Sequence, residues 1–136
     1  MSSEDLLSQA ERGSTVAQSV LGISYLLGEG RPSDATEAFR WLSAAAAKGA
    51  SRAQAWLGTM YEKGIAVSAN AERAAQLYEA AASRGEFFGC IFLARLLASG
   101  QCGSDRKDEA KHWYRRAASM NVSPCAELDE ARRNIA

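Results

Sequence analysis

Leu21, Leu57 and Leu93 stand 36 residues apart, and so do Gly28, Gly64 and Gly100. The register continues without a gap through Trp41, Leu77 and Trp113, and through Ala38, Ala74 and Ala110. Ala45, Ala81 and Ala117 share a further position, and Ala46, Ala82 and Ala118 share the one beside it. A period of this length means stacked copies of one supersecondary unit, none of which buries its apolar face alone. Inside each copy the apolar residues recur at three and four residues, the spacing of one helix face. In the first copy Ala17, Leu21, Ser24 and Tyr25 make one stripe, and Ala38, Trp41, Leu42, Ala45 and Ala46 make another. Gly28, Gly30 and Pro32 separate the two, so each unit is a pair of helices around a short loop.

The ends of these helices are written locally. The spacing predicts a helix over 4–12, then one over about 15–27 with Ser14 capping its free amides. Asp34 starts the next, with Glu37 three residues on as an acidic capping box, and Gly49 closes it in a left-handed turn. In the second copy Ser51 and Asn70 are the expected caps; the third copy has helices over about 86–99 and 105–120. Ser123 and Pro124 then open a last helix. Leu6 and Ala10 match Leu42 and Ala46 one period on, and Gly13 matches Gly49, so residues 1–13 read as the second helix of an incomplete unit. The last helix loses the apolar pattern at Asp129, Arg132 and Arg133. Both ends are expected to cover terminal units that would otherwise present apolar faces to water.

Read as a motif, the first copy is Ala17, Leu21, Gly22, Tyr25, Gly28, Ala38, Trp41, Ala45, Ala46, Gly49, and the second is Ala53, Leu57, Gly58, Tyr61, Gly64, Ala74, Leu77, Ala81, Ala82, Gly85. This resembles the Sel1-like repeat, a relative of the tetratricopeptide repeat. The third copy departs at Gly89, Ala94, Leu97 and Asn121. The resemblance implies an all-α fold: a right-handed α-α superhelical solenoid of three 36-residue helix-turn-helix repeats plus N- and C-terminal capping helices. The expected boundaries within a single domain, 1–136, are 1–13 for the N-terminal cap, 14–49, 50–85 and 86–121 for the repeats, and 122–136 for the C-terminal cap. It also implies an interaction scaffold, with a protein or peptide as partner.

Charge and composition narrow the classes. Sixteen basic and sixteen acidic residues leave a formal net charge of zero, so the long-range attraction that carries non-specific nucleic-acid binding is missing. No apolar run approaches the ~18 residues that span a bilayer, and the opening Met-Ser-Ser-Glu-Asp-Leu-Leu has acids where a signal peptide has bases. Neither nucleic acid nor membrane is expected as a partner, and the expected location is the cytoplasm. Cys90, Cys102 and Cys125 are an odd set without common spacing, which argues against a disulfide framework. Secreted members of the resembled family carry a cysteine pair within each repeat, and repeats 1 and 2 have none.

Catalysis, cofactors and metals find little support. The lone histidine, His112, falls on a polar helix face where Arg40 and Gln76 are its equivalents, and one histidine lacks partners for ligation or base catalysis. Ser104-Asp105-Arg106-Lys107 fits Ser-x-x-Lys, a nucleophile motif of penicillin-recognising enzymes, and the resemblance lends it interest because some cysteine-rich members are linked to β-lactams. Ser and Asp at a helix start are nevertheless what capping asks for, and no Lys-Thr-Gly or Ser-x-Asn accompanies them. The expectation is no enzyme; a β-lactam-interacting enzyme and a self-associating structural protein are the alternatives. Lys107, Lys111 and Arg115 share one helical face with Asp108 and Glu109 interleaved, as on a solvated surface.

In tetratricopeptide-like solenoids the first helix of each pair lines a concave groove. Carried over, that geometry turns Val16, Ser19, Ile23, Leu26 and Leu27 inward in repeat 1, then Arg52, Ala55, Thr59, Glu62 and Lys63, then Phe88, Ile91, Arg95, Ala98 and Ser99. These differ between repeats while the packing positions agree, which separates specificity from scaffold. Val20, Trp56, Phe92 and Leu128 form a second row, open to two readings: a partner-binding stripe or packing between successive first helices. The expected partner-binding residues are Ser19, Ile23, Arg52, Trp56, Thr59, Glu62, Lys63, Phe88, Ile91, Phe92 and Arg95. Phe88, Ile91 and Trp56 serve as apolar anchors, and Arg52, Lys63 and Arg95 as partners for carboxylates. A monomer completes the expectation, with weak self-association as the alternative.

Overall fold

A computed structural model describes residues 3–103 and 106–120, with the side chains of Ser3 and Glu4 excepted. The expected C-terminal cap over 122–136, with Cys125 and Leu128, lies outside the described residues, as do Ser104 and Asp105. The described chain is all-helical: α1 (Ser3–Glu11), α2 (Thr15–Leu27), α3 (Ala35–Ala47), α4 (Ser51–Lys63), α5 (Ala71–Ser83), α6 (Phe87–Ala98) and α7 (Lys107–Ser119). Each helix packs on the next, and in addition α2 touches α4 and α4 touches α6. The first helices of the repeats thus approach one another more closely than the second helices α3, α5 and α7, which puts α2, α4 and α6 on the inner side of the arc.

The helix ends show how much a few local side chains decide. Ser14 accepts a hydrogen bond from Ala17 N at 3.2 Å, Asp34 accepts from the amides of Thr36 and Glu37, and Asn70 accepts from Arg73 N at 3.0 Å. Two expectations fail here. The cap of α4 is Ala50, with no side-chain bond, and Ser51 is the first helical residue. The capping box at Asp34 is also incomplete: Glu37 turns away from the cap to accept from Trp41 Nε1 at 3.2 Å. A buried indole N–H demands an acceptor, and a carboxylate one turn earlier is the nearest. Beyond α2 and α4 the loop folds back, with Asp34 N donating to Tyr25 O and Asn70 N to Tyr61 O.

The small residues of the motif set helix separation. A Cβ on Gly58 would lie 2.6 Å from the Tyr78 ring, and one on Gly22 would lie 2.7 Å from Leu42 Cγ; only glycine lets the two helices of a repeat close this far. Repeat 3 moves the close approach elsewhere. Ala94 replaces that glycine, while Gly89, in the slot of Ala17 and Ala53, brings α6 so near α5 that a Cβ would meet Ala82 N at 2.8 Å.

The buried side chains form three clusters in succession. Leu6, Ala10, Ala17, Leu21 and Trp41 join α1 to repeat 1. Leu42, Ala53, Leu57, Met60 and Leu77 bridge repeats 1 and 2. A larger group around Tyr78, Phe92, Leu93, Leu96 and Leu97 bridges repeats 2 and 3. A periodic staple outside the apolar core joins the ends of successive second helices. Lys48 Nζ donates to Gly13 O at 2.9 Å, and one period later Arg84 Nη1 donates to Gly49 O. Both carbonyls sit just past a helix C-terminus, where a cation is favoured by the helix dipole. Met120 occupies the next equivalent place and packs on the apolar cluster.

Candidate functional site

The inner face is built from α2, α4 and α6, and its two seams differ. Between α4 and α6 the seam is filled with rings. Trp56 stands 5.6 Å from Phe88 and 5.2 Å from Phe92, centroid to centroid, and Phe92 packs at 5.6 Å on Tyr78 behind it. Arginines cover this stack from the solvent side, with Arg52 over Phe88 and Arg95 over Phe92. Arg52 Nε also lies 3.7 Å from Glu86 Oε1, and Glu86 in turn accepts from Phe88 N as the cap of α6.

Between α2 and α4 the seam is open. A cavity of about 430 Å³ runs along it, lined by Val16, Ser19, Val20 and Ile23 on one wall and Ala50 to Arg52 on the other. A second hollow of about 460 Å³ lies on the far side of the same ridge, against α1. The ridge is apolar and exposed: Val16 keeps 75% of its surface, Leu27 47% and Val20 46%. With Leu7 of α1 these are the large hydrophobic residues that stand exposed among the described residues. From Thr15 to Leu27 α2 carries no charged residue, so nothing on the ridge resists an apolar partner. Glu29 and Arg52 are the charged residues that line the open seam.

Several expected binding residues are placed differently. Ile91 is fully buried and Phe92 is 4% exposed; each is part of the core that joins repeats 2 and 3, and neither has surface to offer as an anchor. Ser19 and Thr59 are buried as well. Ser19 Oγ donates to Thr15 O on its own helix, and Thr59 hydrogen-bonds with the Tyr78 hydroxyl at 3.1 Å. Glu62 is half-buried because it accepts from that same hydroxyl at 2.7 Å. Two causes are at work: Ser19 and Ile91 share a repeat position that is buried in every repeat, whereas Thr59 and Glu62, at the positions of Ile23 and Leu26, are drawn to the Tyr78 hydroxyl. Ile23, Trp56, Phe88 and Arg95 are half-buried, while Arg52 and Lys63 are exposed. The row of Val20, Trp56 and Phe92 therefore divides, from exposed to half-buried to core, with Leu128 outside the described residues.

The remaining chemistry is quiet. Burial pushes the thiols of Cys90 and Cys102 up from their ordinary values, away from the reactive thiolate. His112 is exposed and rests edge-on against Trp113. Among the described residues no group of three or more His, Cys, Asp or Glu is gathered as for a metal, and no helix is long and apolar enough to cross a membrane. Two features of the fold go beyond the expectations from sequence. The Lys48 and Arg84 staple had a signal, a cation one residue before the closing glycine in consecutive repeats. The expected inward-facing set already contains Val16 and Leu27; their prominence within it arises from what does not pack on them.

The Sel1 repeat profile matches residues 15–49, 51–86 and 88–122, three copies covering most of the chain. The chain belongs to the Sel1 repeat family. Among solved structures it is similar to a Sel1 repeat protein from Oxalobacter formigenes, at 34% identity over 97% of this chain and 95% of that one, with a TM-score of 0.73. It is also similar to c5321, described as a protective antigen of uropathogenic Escherichia coli displaying an SLR fold, at 33% identity and a TM-score of 0.76; the match covers 86% of this chain and 25% of that much longer one. The cysteine-rich protein B of Helicobacter pylori shares the fold, with a TM-score of 0.68 at 21% identity over 88% of this chain and 90% of that one. A comparison with curated proteins found no match. Sel1 repeat proteins generally mediate protein–protein interactions, and the family is generally a non-enzymatic scaffold.

Proposed function

We propose that this Sel1 repeat chain is a small non-enzymatic adaptor that holds a protein or peptide partner on the repeat-1 end of its inner face. The observation that carries this reading is the uncharged ridge of α2, with Val16, Val20 and Leu27 exposed beside an open seam. Exposed apolar surface of this kind is what a partner covers. The arc is short, so the target is a peptide-sized epitope or one face of a domain. A bacterial secretion accessory and an immunity protein bound to a secreted toxin are cellular roles consistent with such an adaptor, in the cytoplasm or elsewhere.

Capture from extracts of the native host, with wild type against a Val16→Glu, Val20→Glu variant, tests the reading. The captured protein is then purified and its affinity measured directly. The variant is expected to melt like wild type, since both side chains are exposed. It should bind at least about 10-fold more weakly, because a carboxylate replaces an apolar group at two points of the interface. Equal affinity for the two forms would move the interface off α2.

A further inference from the structure

The two seams of the inner face are built from the same repeat positions, and the filled one shows what the open one lacks. In the α4/α6 seam an aromatic ring, Phe88, lies against Trp56 and beneath the Arg52 guanidinium, and an acidic residue two positions earlier, Glu86, faces the same guanidinium. In the α2/α4 seam the place of Phe88 is taken by Arg52 and that of Glu86 by Ala50. No ring enters, and a cavity of about 430 Å³ is left between the α2 ridge and the start of α4. That size falls in the range of ligand pockets, about 300–1,000 Å³.

We infer that the α2/α4 seam is a binding site for an aromatic side chain with a carboxylate close to it, both supplied by the partner, with Arg52 as the cation on the α4 wall. The inference rests on the adaptor reading and names the chemistry that reading would recognise. Val16, Val20 and Ile23 supply the apolar wall. Arg52 supplies the cation: its side chain keeps 59% of its surface, and at 3.7 Å from Glu86 it retains donors for a second carboxylate. Glu29 also lines the cavity; like charges repel, so a carboxylate of the occupant pairs with Arg52. Guanidinium donors suit carboxylates in their planar geometry.

The test uses two probes that differ only in charge, 3-phenylpropanoate and its neutral amide 3-phenylpropanamide, titrated into the isotopically labelled full chain and followed by amide NMR. The acid is expected to shift Val16, Val20, Ser51 and Arg52 with a Kd on the order of 1 mM, as suits so small a ligand. The amide is expected to bind at least about 5-fold more weakly, and Arg52→Gln to erase that gap. Val20→Trp, which places the residue of repeat 2 in repeat 1, should fill the seam and abolish binding of both probes; Val16→Phe does the same if the first variant folds poorly. Equal binding of acid and amide, shifts confined to another surface, or full binding by both filled variants would overturn the site. Dilution-dependent shifts of these same amides without any probe would assign the seam to a second copy of the chain instead. If the probes fail while a captured partner still depends on Val16 and Val20, the adaptor reading stands and the aromatic-acid recognition falls; if the probes bind and no partner depends on the ridge, the reverse holds.

Discussion

The junction between repeats 1 and 2 and the junction between repeats 2 and 3 use the same 36-residue frame and each carries a buried apolar cluster, yet they differ at the inner seam and at the outer helix ends. At the first, the inner seam stays open, and Arg84 at the outer ends of the second helices donates to the carbonyl of Gly49. At the second, Trp56, Phe88 and Phe92 fill the seam, Met120 replaces the donor, and Gly89 draws α6 against α5. One junction is stapled and leaves apolar surface available; the other spends its apolar surface on itself. A scaffold repeated from one template thus acquires an open end and a filled end through a handful of substitutions at positions the template leaves free.

The largest expected effect comes from opening the filled seam. Phe92→Ala removes a buried ring from contact with Trp56, Phe88 and Tyr78, and should cost about 3–4 kcal/mol in denaturant unfolding. Val20→Ala, at the same repeat position in the open seam, should cost less than about 0.5 kcal/mol, because its side chain is already half in solvent. Similar losses for the two would mean that the seams are packed alike.

Much of this was legible in the sequence and one layer was not. The period, the paired helices and most caps follow from residues such as Ser14, Asp34, Asn70 and Gly49, each acting within one turn of its own position. The inner-face assignments faltered because they depend on how closely two helices 36 residues apart approach. Ser19, Ala55 and Ile91 share a position that is buried in all three repeats, so their variation reflects the width of the gap each must fill. Thr59 and Glu62 have the composition of surface residues and are drawn to Tyr78, a second-helix residue whose buried hydroxyl needs partners.

That hydroxyl gives a test of intermediate size. Tyr78→Phe keeps the ring against Phe92 and removes the bonds to Glu62 and Thr59, and should cost about 1–1.5 kcal/mol near neutral pH. Burial, and secondarily the negative charge of Glu62, hold the folded Tyr78 hydroxyl well above the ordinary tyrosine range. The unfolded side chain therefore ionises first as pH rises past about 10, while the folded one stays protonated. The contribution of Tyr78 is complete below that pH and declines above it, so the gap in stability between wild type and Tyr78→Phe should narrow in alkali. A gap that stays constant to about pH 11, a full unit past the ordinary tyrosine value, would show that the hydroxyl is not sealed in the core.

The smallest expected effect belongs to the staple, and it separates the junctions most cleanly. Arg84→Met gives repeat 2 the side chain that repeat 3 carries at Met120. It removes an exposed charge-assisted donor to Gly49 O, for which a loss of about 0.5–1 kcal/mol is expected, the lower range for a bond that water replaces easily. The acceptor is a neutral carbonyl, so the hydrogen bond itself should change little with salt, and only the helix-dipole share of this loss should fade at high salt. The Arg52–Glu86 pair, by contrast, joins two full charges at the surface and should weaken as salt screens it. If Arg84→Met instead destabilised the chain only at low salt, the arginine would be acting through its long-range field on neighbouring carboxylates, and the two junctions would differ in packing alone.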